Sequence, residues 1–204
     1  MEKSVSAIIL AAGCSTRMGR PKQLLKLNEN FMLEHVINQV LLHPFTHVYI
    51  IVGYQGEKIK QAIRIEDKRV RWVDNNRYYQ GQSTSIQTAF EHIDKTLEGT
   101  MIFLGDQPYI QIETTALVLT EGFLKLSVKR NMPFMIRPSY RGIPGHPVFL
   151  GHYQSINFSV LHGDEGGRAL FHTCTDKRII PVQDANVIFD IDTQEDYQQA
   201  LAML

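Results

Sequence analysis

The sequence predicts an α/β domain in which helices cover both faces of a mostly parallel β-sheet. Short apolar runs rich in Val, Ile, Phe and Leu alternate along the chain with segments of helical period, and such alternation is typical of parallel strands joined by helical crossovers. The chain has 204 residues, of which 44% are hydrophobic and 21% are charged, and these values suit one well-packed domain. Because no repeat, low-complexity tract or linker divides the chain, residues 1–204 are expected to form one domain.

Six apolar runs predict the strands of this sheet. In chain order they are Val5–Leu10, Val48–Val52, Val70–Val73, Met101–Leu104, Phe134–Ile136 and Val148–Leu150. The segment Met132–Phe149 is rich in proline and glycine. This composition indicates a small β insertion rather than a boundary between domains.

Apolar residues spaced three and four positions apart predict helices between the strands. Three such helices cover Leu33–Leu41, Ile59–Ile63 and Ile86–Ile93. A further helix is predicted to begin near Gln194, because Thr193 is a favourable N-cap and acidic residues follow it.

The position of the polar segments predicts where a ligand binds. In open parallel sheets, ligands bind beyond the carboxyl ends of the strands. We therefore expect one cleft to be formed by the loops after Leu10, after Val52 and after Leu104, together with the segment around Asp190.

The composition excludes several classes of protein. Lys plus Arg and Asp plus Glu number 21 each, so no overall charge favours a nucleic acid or an anionic membrane. The two cysteines, Cys14 and Cys174, belong to no metal-binding or disulfide pattern. The first apolar run is too short for a signal peptide or a membrane span. These features predict a cytoplasmic protein.

The stretch Ile8–Lys22 carries the most informative pattern. A predicted strand enters a loop of small residues, whose backbone N–H groups can approach an anion closely. Arg17, Arg20 and Lys22 then supply the positive charge that a triphosphate requires. The spacing of the glycines matches neither a Walker loop nor a dinucleotide-binding fingerprint.

Two acidic segments are candidates for binding Mg²⁺. Asp106 follows a predicted buried strand, and a carboxylate facing a triphosphate from such a position suits this ion. Asp190 and Asp192 alternate along an extended segment and therefore share one face. Two structural interpretations stay open: Asp106 as a turn-forming residue, and Asp192 as a helix cap.

Two further polar segments have possible binding roles. Gln82 and Ser83 begin a predicted helix, where they can either hydrogen-bond a nucleoside or cap the helix. Two glycine-rich loops carry His146 and the pair Asp164 and Arg168. Because these loops have no evident packing role and loops on a rigid sheet often recognise ligands, we expect a binding function.

Taken in this order, the segments resemble the MobA-like NTP transferase family, in particular its molybdenum cofactor cytidylyltransferase branch. The family's loop has the approximate form L-A-[AG]-G-x-S-x-R-M-G-x-x-K, and Leu10–Lys22 match it position by position. The family patterns G-D-x-P, D-[IV]-D/N-T-x-E-D, G-x-x-x-S, G-x-x-G-H-P-x-x-[FL] and G-D-x-G-[GA]-R also match. The resemblance implies a Rossmann-like three-layer α/β/α nucleotidyltransferase fold.

The resemblance also implies roles for individual residues. The implied catalytic residues are Arg17, Lys22 and Asp106. The implied nucleotide-binding residues are Leu10, Ala11, Ala12, Gly13, Ser15, Arg17, Lys22, Gln82, Ser83 and Asp106. The implied acceptor-binding residues are Gly145, His146, Asp164, Gly167 and Arg168. The implied cofactor is Mg²⁺, held by Asp106 with Asp190 or Asp192.

The implied reaction is transfer of CMP from CTP to Mo-molybdopterin, with release of pyrophosphate. The product would serve a hydroxylase of the xanthine dehydrogenase type, which receives it directly or through a chaperone. Because an acceptor phosphate is already ionised, His146 is expected to orient the acceptor rather than to act as a base. Ala12 favours CTP, since the guanylyl branch usually carries glycine there.

Three alternatives stay open at this point. They are guanylyl transfer to the same pterin, nucleotidyl transfer to a sugar phosphate, and a non-catalytic maturation factor that binds the cofactor.

Overall fold

A computed structural model describes residues 4–15, 18–128, 132–163, 174 and 176–203. Within these ranges the strands are β1 Val5–Ala11, β2 Lys26–Leu27, β3 Asn30–Phe31, β4 Val48–Val52, β5 Val70–Asp74, β6 Gly99–Leu104, β7 Phe134–Tyr140, β8 Ile143–Pro144, β9 Val148–Gly151 and β10 Asp176–Pro181. The helices are α1 Met32–Leu41, α2 Gly56–Ala62, α3 Gln82–His92, α4 Ile112–Leu126 and α5 Gln194–Leu201.

One twisted sheet of mostly parallel strands organises the domain. Its strand order is β10-β7-β9-β6-β1-β4-β5, with β8 beside β7, and β2 and β3 form a separate small hairpin. The strands from β6 to β5 are parallel to one another, as are β7 and β10. Strand β9 is antiparallel to both of its neighbours, β6 and β7.

The central strand β1 is apolar except for Ser6, because helices cover both faces of the sheet. Successive side chains of a strand point to opposite faces. Ile9 accordingly packs into a core shared with α1 and α4, whereas Ile8 packs into a second core shared with α3. The result is a three-layer α/β/α architecture, as predicted.

The C-terminal helix α5 lies against a third, smaller core. Tyr197 packs there with residues of the β2-β3 hairpin, and its hydroxyl donates to the carbonyl of Lys26 at 2.7 Å. Thr193 caps α5 as predicted: its hydroxyl accepts from the Asp196 N–H at 3.1 Å, and the Asp196 carboxylate accepts from the Thr193 N–H at 2.8 Å. The segment before α5 is joined to the turn after β6, because the Ile191 N–H donates to the Asp106 carbonyl at 3.0 Å.

The structure confirms the six predicted strands and adds elements that the sequence pattern did not predict. Strand β10 and helix α4 were not predicted, although α4 has 15 residues. The predicted β insertion forms β7, β8 and β9, and its two longer strands extend the main sheet. In the described part of the chain, no helix is long and apolar enough to cross a membrane.

Candidate active site

A cavity of about 680 Å³ opens at the carboxyl ends of the central strands. Four segments line it: the loop after β1, the turn between β5 and α3, the end of β6, and the stretch before α5. The predicted convergence of loops is therefore largely confirmed. The loop after Val52 is the exception, because Gly53 packs behind the wall, where an added Cβ would lie 2.6 Å from Cβ of Tyr78.

The end of β1 and the loop after it form one side of the cavity, which is lined by Leu10, Ala11, Ala12, Gly13, Cys14 and Ser15. The buried Gln23 side chain holds the loop by donating to the carbonyl of Ala11 at 2.7 Å. The Ser15 hydroxyl accepts from the Lys22 N–H at 3.0 Å. Gln23 was not predicted, because its role depends on a contact across the loop. Arg17 lies outside the described residues.

Lys22 joins two acidic residues that are distant in the sequence. Its ammonium lies 2.5 Å from Asp106 Oδ2 and 2.6 Å from Asp192 Oδ1. Burial acts to lower the pKa of Lys22, but the two carboxylates outweigh this effect and raise the pKa above its ordinary value. Lys22 is therefore a fixed positive charge at the point where the loop meets the end of β6.

Asp190 completes a group of three carboxylates at the cavity wall. Its Oδ1 accepts from the amide of Gln107 at 2.7 Å. Burial and the negative charge of Asp106 raise the pKa of Asp190 to about 6. Because burial is the larger cause, the raised pKa shows mainly that the Asp190 carboxylate is poorly solvated at this wall.

The acidic wall of Asp106, Asp190 and Asp192 suits a divalent cation that takes some of its ligands from the protein and the others from a substrate. The buried Asp106 Oδ1 has no hydrogen-bond partner among the described residues. In the part of the chain that the structure describes, no three His, Cys, Asp or Glu side chains lie close enough together to hold a metal ion by themselves. One or two carboxylates with substrate phosphates and water are a common environment for Mg²⁺, so the wall suits this ion together with a nucleotide.

The turn between β5 and α3 forms the opposite wall. Gly81, with φ of 109°, precedes α3, and no side chain caps the helix. Gln82 and Ser85 line the cavity. Ser83 is buried and is not among the residues that line the cavity. It lies one position from Gln82 and two from Ser85, and residues one or two positions apart on a helix point in different directions. Its role in binding the nucleotide stays a prediction.

The predicted acceptor residues Gly145 and His146 lie beside the cavity rather than on its surface. The expectation that this loop has no packing role is wrong for Gly145, because the backbone of Val187 occupies the place that a Cβ would take. The Val187 carbonyl accepts from the His146 N–H at 2.9 Å and from the Gln107 amide at 3.3 Å. These bonds connect the His146 loop to the acidic wall.

The environment of His146 keeps its imidazole neutral. Burial and the nearby Arg137 guanidinium lower the pKa of His146 to about 3. Arg137 also donates from Nε to the carbonyl of Gly145 at 2.9 Å. The other predicted acceptor residues, Asp164, Gly167 and Arg168, lie outside the described residues.

Comparisons with known proteins agree with this architecture. Molybdenum cofactor cytidylyltransferase of Escherichia coli is 25% identical over 205 residues, a match that covers 95% of this chain and 94% of the relative. A crystal structure of the Rv0371c homologue from Mycobacterium sp. strain JC1 is 30% identical, with a TM-score of 0.78 over 98% of this chain and 96% of that one. Rv0371c of Mycobacterium tuberculosis shares the fold, with 24% identity and a TM-score of 0.82 over 99% of each chain.

The family profile described as the MobA-like NTP transferase domain matches residues 7–179, which include the loop after β1, the β5-α3 turn and the end of β6. The resemblance inferred from the motifs is thus confirmed, and the chain belongs to the MobA-like NTP transferase family.

Proposed function

We propose that this chain transfers CMP from CTP to Mo-molybdopterin, releasing pyrophosphate and forming the molybdopterin cytosine dinucleotide. One observation supports the nucleotidyl transfer: the small-residue loop after β1, Lys22 and Asp106 meet in a cavity whose other wall presents Gln82. The cytidylyl and pterin specificity is supported by the E. coli relative, which matches this chain over nearly its whole length.

The chemistry requires positioning and charge neutralisation rather than a covalent intermediate. An oxygen of the acceptor phosphate attacks the α-phosphorus of CTP, and the bond between that phosphorus and the bridging oxygen to the β-phosphorus breaks. Pyrophosphate leaves with the electron pair. The loop N–H groups, with Arg17 and Lys22, stabilise the charge on the phosphate oxygens. Because the attacking phosphate is already ionised, the step needs no general base.

Asp106, with Asp190 or Asp192, would hold Mg²⁺ beside these phosphates. When bound, the ion neutralises phosphate charge and makes the α-phosphorus more susceptible to attack. The unpartnered Asp106 Oδ1 and the raised pKa of Asp190 support this assignment.

The acceptor side of the cavity is assigned to the loop that carries Gly145 and His146, with Asp164, Gly167 and Arg168. The lowered pKa of His146 supports a role in orienting the acceptor, because an imidazole with a pKa of about 3 is a weak base. In this proposal the enzyme acts in the cytoplasm and supplies a molybdenum hydroxylase of the xanthine dehydrogenase type, directly or through its chaperone.

The discrimination between CTP and GTP is assigned to the loop. Ala12 is 4% exposed, and its carbonyl accepts from the Tyr54 N–H at 3.4 Å. A methyl group at this tightly packed position leaves less room for a purine than glycine would, and a single methyl changes selectivity by roughly 10- to 200-fold.

Pyrophosphate release tests the proposal. Purified protein is mixed with Mg²⁺, Mo-molybdopterin and one of CTP, GTP, ATP or UTP, and we expect release with CTP. Asp106→Asn should abolish it, whereas Asp176→Asn, the same substitution on the exposed edge strand β10, should not. Release with GTP instead would assign the protein to guanylyl transfer. No release with any nucleotide would contradict catalysis on this acceptor and favour another acceptor or a binding role.

A further inference from the structure

The sheet order separates the two sides of the cavity. The loop after β1 lies at the centre, and the Tyr54 N–H after β4 contacts the Ala12 carbonyl on one side of it. The turn between β5 and α3 continues this side. Asp106 lies on the other side, after β6, and the Gln107 and Val187 contacts lead from there to the His146 loop.

This separation constrains where each substrate lies. Under the proposed function, on which this inference rests, the acceptor occupies the His146 side. The phosphates of the nucleotide lie between the loop and Asp106. The remaining side, formed by the β5-α3 turn, is left for the base.

Three aromatic rings extend along that remaining side. Tyr54 and Tyr78 make an edge contact with ring centroids 6.2 Å apart, and Tyr78 and Tyr79 make another at 6.0 Å. Tyr78 is half-buried against Gly53. Tyr79 lines the cavity at the outer end of the series, yet 71% of its surface is exposed.

An exposed aromatic ring at the mouth of a polar cavity is available to a planar ligand. Its packing contribution to the folded protein is small, because most of its surface stays in water. Its neighbour Tyr78 meets it edge to face, at an interplanar angle of 84°. An edge contact leaves the faces of the Tyr79 ring uncovered by Tyr78. Among the described residues, no other aromatic ring contacts Tyr79.

We infer that Tyr79 stacks on the base of the bound nucleotide. Aromatic stacking tolerates any base, because every base has a π-face. Tyr79 would therefore add affinity for the nucleotide without choosing between bases. Selection among them would depend on the polar edges offered by Gln82 and the loop.

Binding measurements with and without a base test this inference. Calorimetric titrations with CTP, GTP and inorganic tripolyphosphate, all with Mg²⁺, compare the wild type with Tyr79→Ala and Tyr79→Phe. We expect Tyr79→Ala to weaken CTP and GTP binding by about tenfold, and to leave tripolyphosphate binding unchanged. Tyr79→Phe keeps the ring and should bind like the wild type. Leu42→Ala, at another exposed apolar residue, controls for a general effect of surface truncation.

Three results would overturn the inference. Unchanged CTP affinity in Tyr79→Ala would show that the ring does not contact the base. Equal weakening of tripolyphosphate binding would show that Tyr79 acts through the loop. If Tyr79→Ala weakened the binding of Mo-molybdopterin but not of CTP or GTP, the ring would contact the acceptor instead of the base. Each of these leaves wild-type nucleotide binding intact, whereas a wild type that binds no nucleotide would contradict the proposed function itself.

Discussion

The neutral state of His146 predicts a specific loss of stability in mild acid. Its pKa is about 3 in the folded protein, against an ordinary value of 6.5. Between these two values the unfolded chain binds a proton that the folded protein excludes, so stability falls as the pH decreases. At pH 5 the unfolded histidine is almost fully protonated, and the linkage relation gives a destabilisation of about 2 kcal/mol relative to pH 7.

The assay is urea-induced unfolding at pH 7 and pH 5, compared between the wild type and His146→Gln. The comparison with the variant is necessary because the stability contributed by Asp190 changes with pH in the opposite direction. The pKa of Asp190 is raised to about 6 in the folded protein, so its contribution to stability falls as the pH rises from 3.8 towards that value. Between pH 7 and pH 5 the wild type should lose about 2 kcal/mol more than the variant. His162→Gln, at an exposed histidine, controls for the loss of a histidine as such.

Parallel pH profiles for the wild type and His146→Gln would refute this reasoning. They would mean that His146 is protonated in the folded protein with little penalty. The assignment of His146 as a neutral group that orients the acceptor would then lose its physical basis.

Two further predictions concern the loop and its surroundings. Lys22→Met removes the cation between the loop and the acidic wall and should lower kcat/KM for pyrophosphate release by about 10²- to 10³-fold. Lys60→Met, in an ion-pair cluster on α2, should have little effect, and equal losses would contradict the role of Lys22. Gly145→Ala forces a methyl group against the Val187 backbone and should cost about 1–3 kcal/mol in urea unfolding. Gly13→Ala has open space around the new methyl and should cost less than about 0.5 kcal/mol, so equal costs would contradict the packing argument for Gly145.

Local sequence patterns readily predicted the strands that are buried along nearly their whole length. Strands β1 and β4 are almost wholly apolar because both faces are covered, with Ser6 of β1 as the exception, and their runs are recognisable without any tertiary information. Strand β10 escaped prediction because it is an exposed edge strand that begins with Asp176, Lys177 and Arg178. Helix α4 escaped because Leu117 and Leu124 are exposed on its outer side, which obscures the apolar period of its buried face.

In the candidate site, too, local features could be predicted from the sequence and contacts between distant residues could not. Small residues after a buried strand, and a carboxylate after another, are local features that the order of residues alone could predict. The sequence could not predict that Gln23 holds the loop or that Val187 links the His146 loop to Gln107, because those contacts join residues on different elements. It also could not show that Ser85 lines the cavity whereas the predicted Ser83 does not, since the rotation of α3 against the sheet determines which side chain reaches it.

By itself, the sequence determined the α/β class, the family and the chemistry available at the ends of the strands, because these depend on residue type and spacing along the chain. The tertiary structure alone decided that Lys22 lies between Asp106 and Asp192, that His146 lies half-buried beside Arg137, and that Tyr79 lies at the mouth of the cavity. The physical reason is that charge pairing, desolvation and exposure depend on distances between residues far apart in the chain, and only the packed sheet and its helices set those distances.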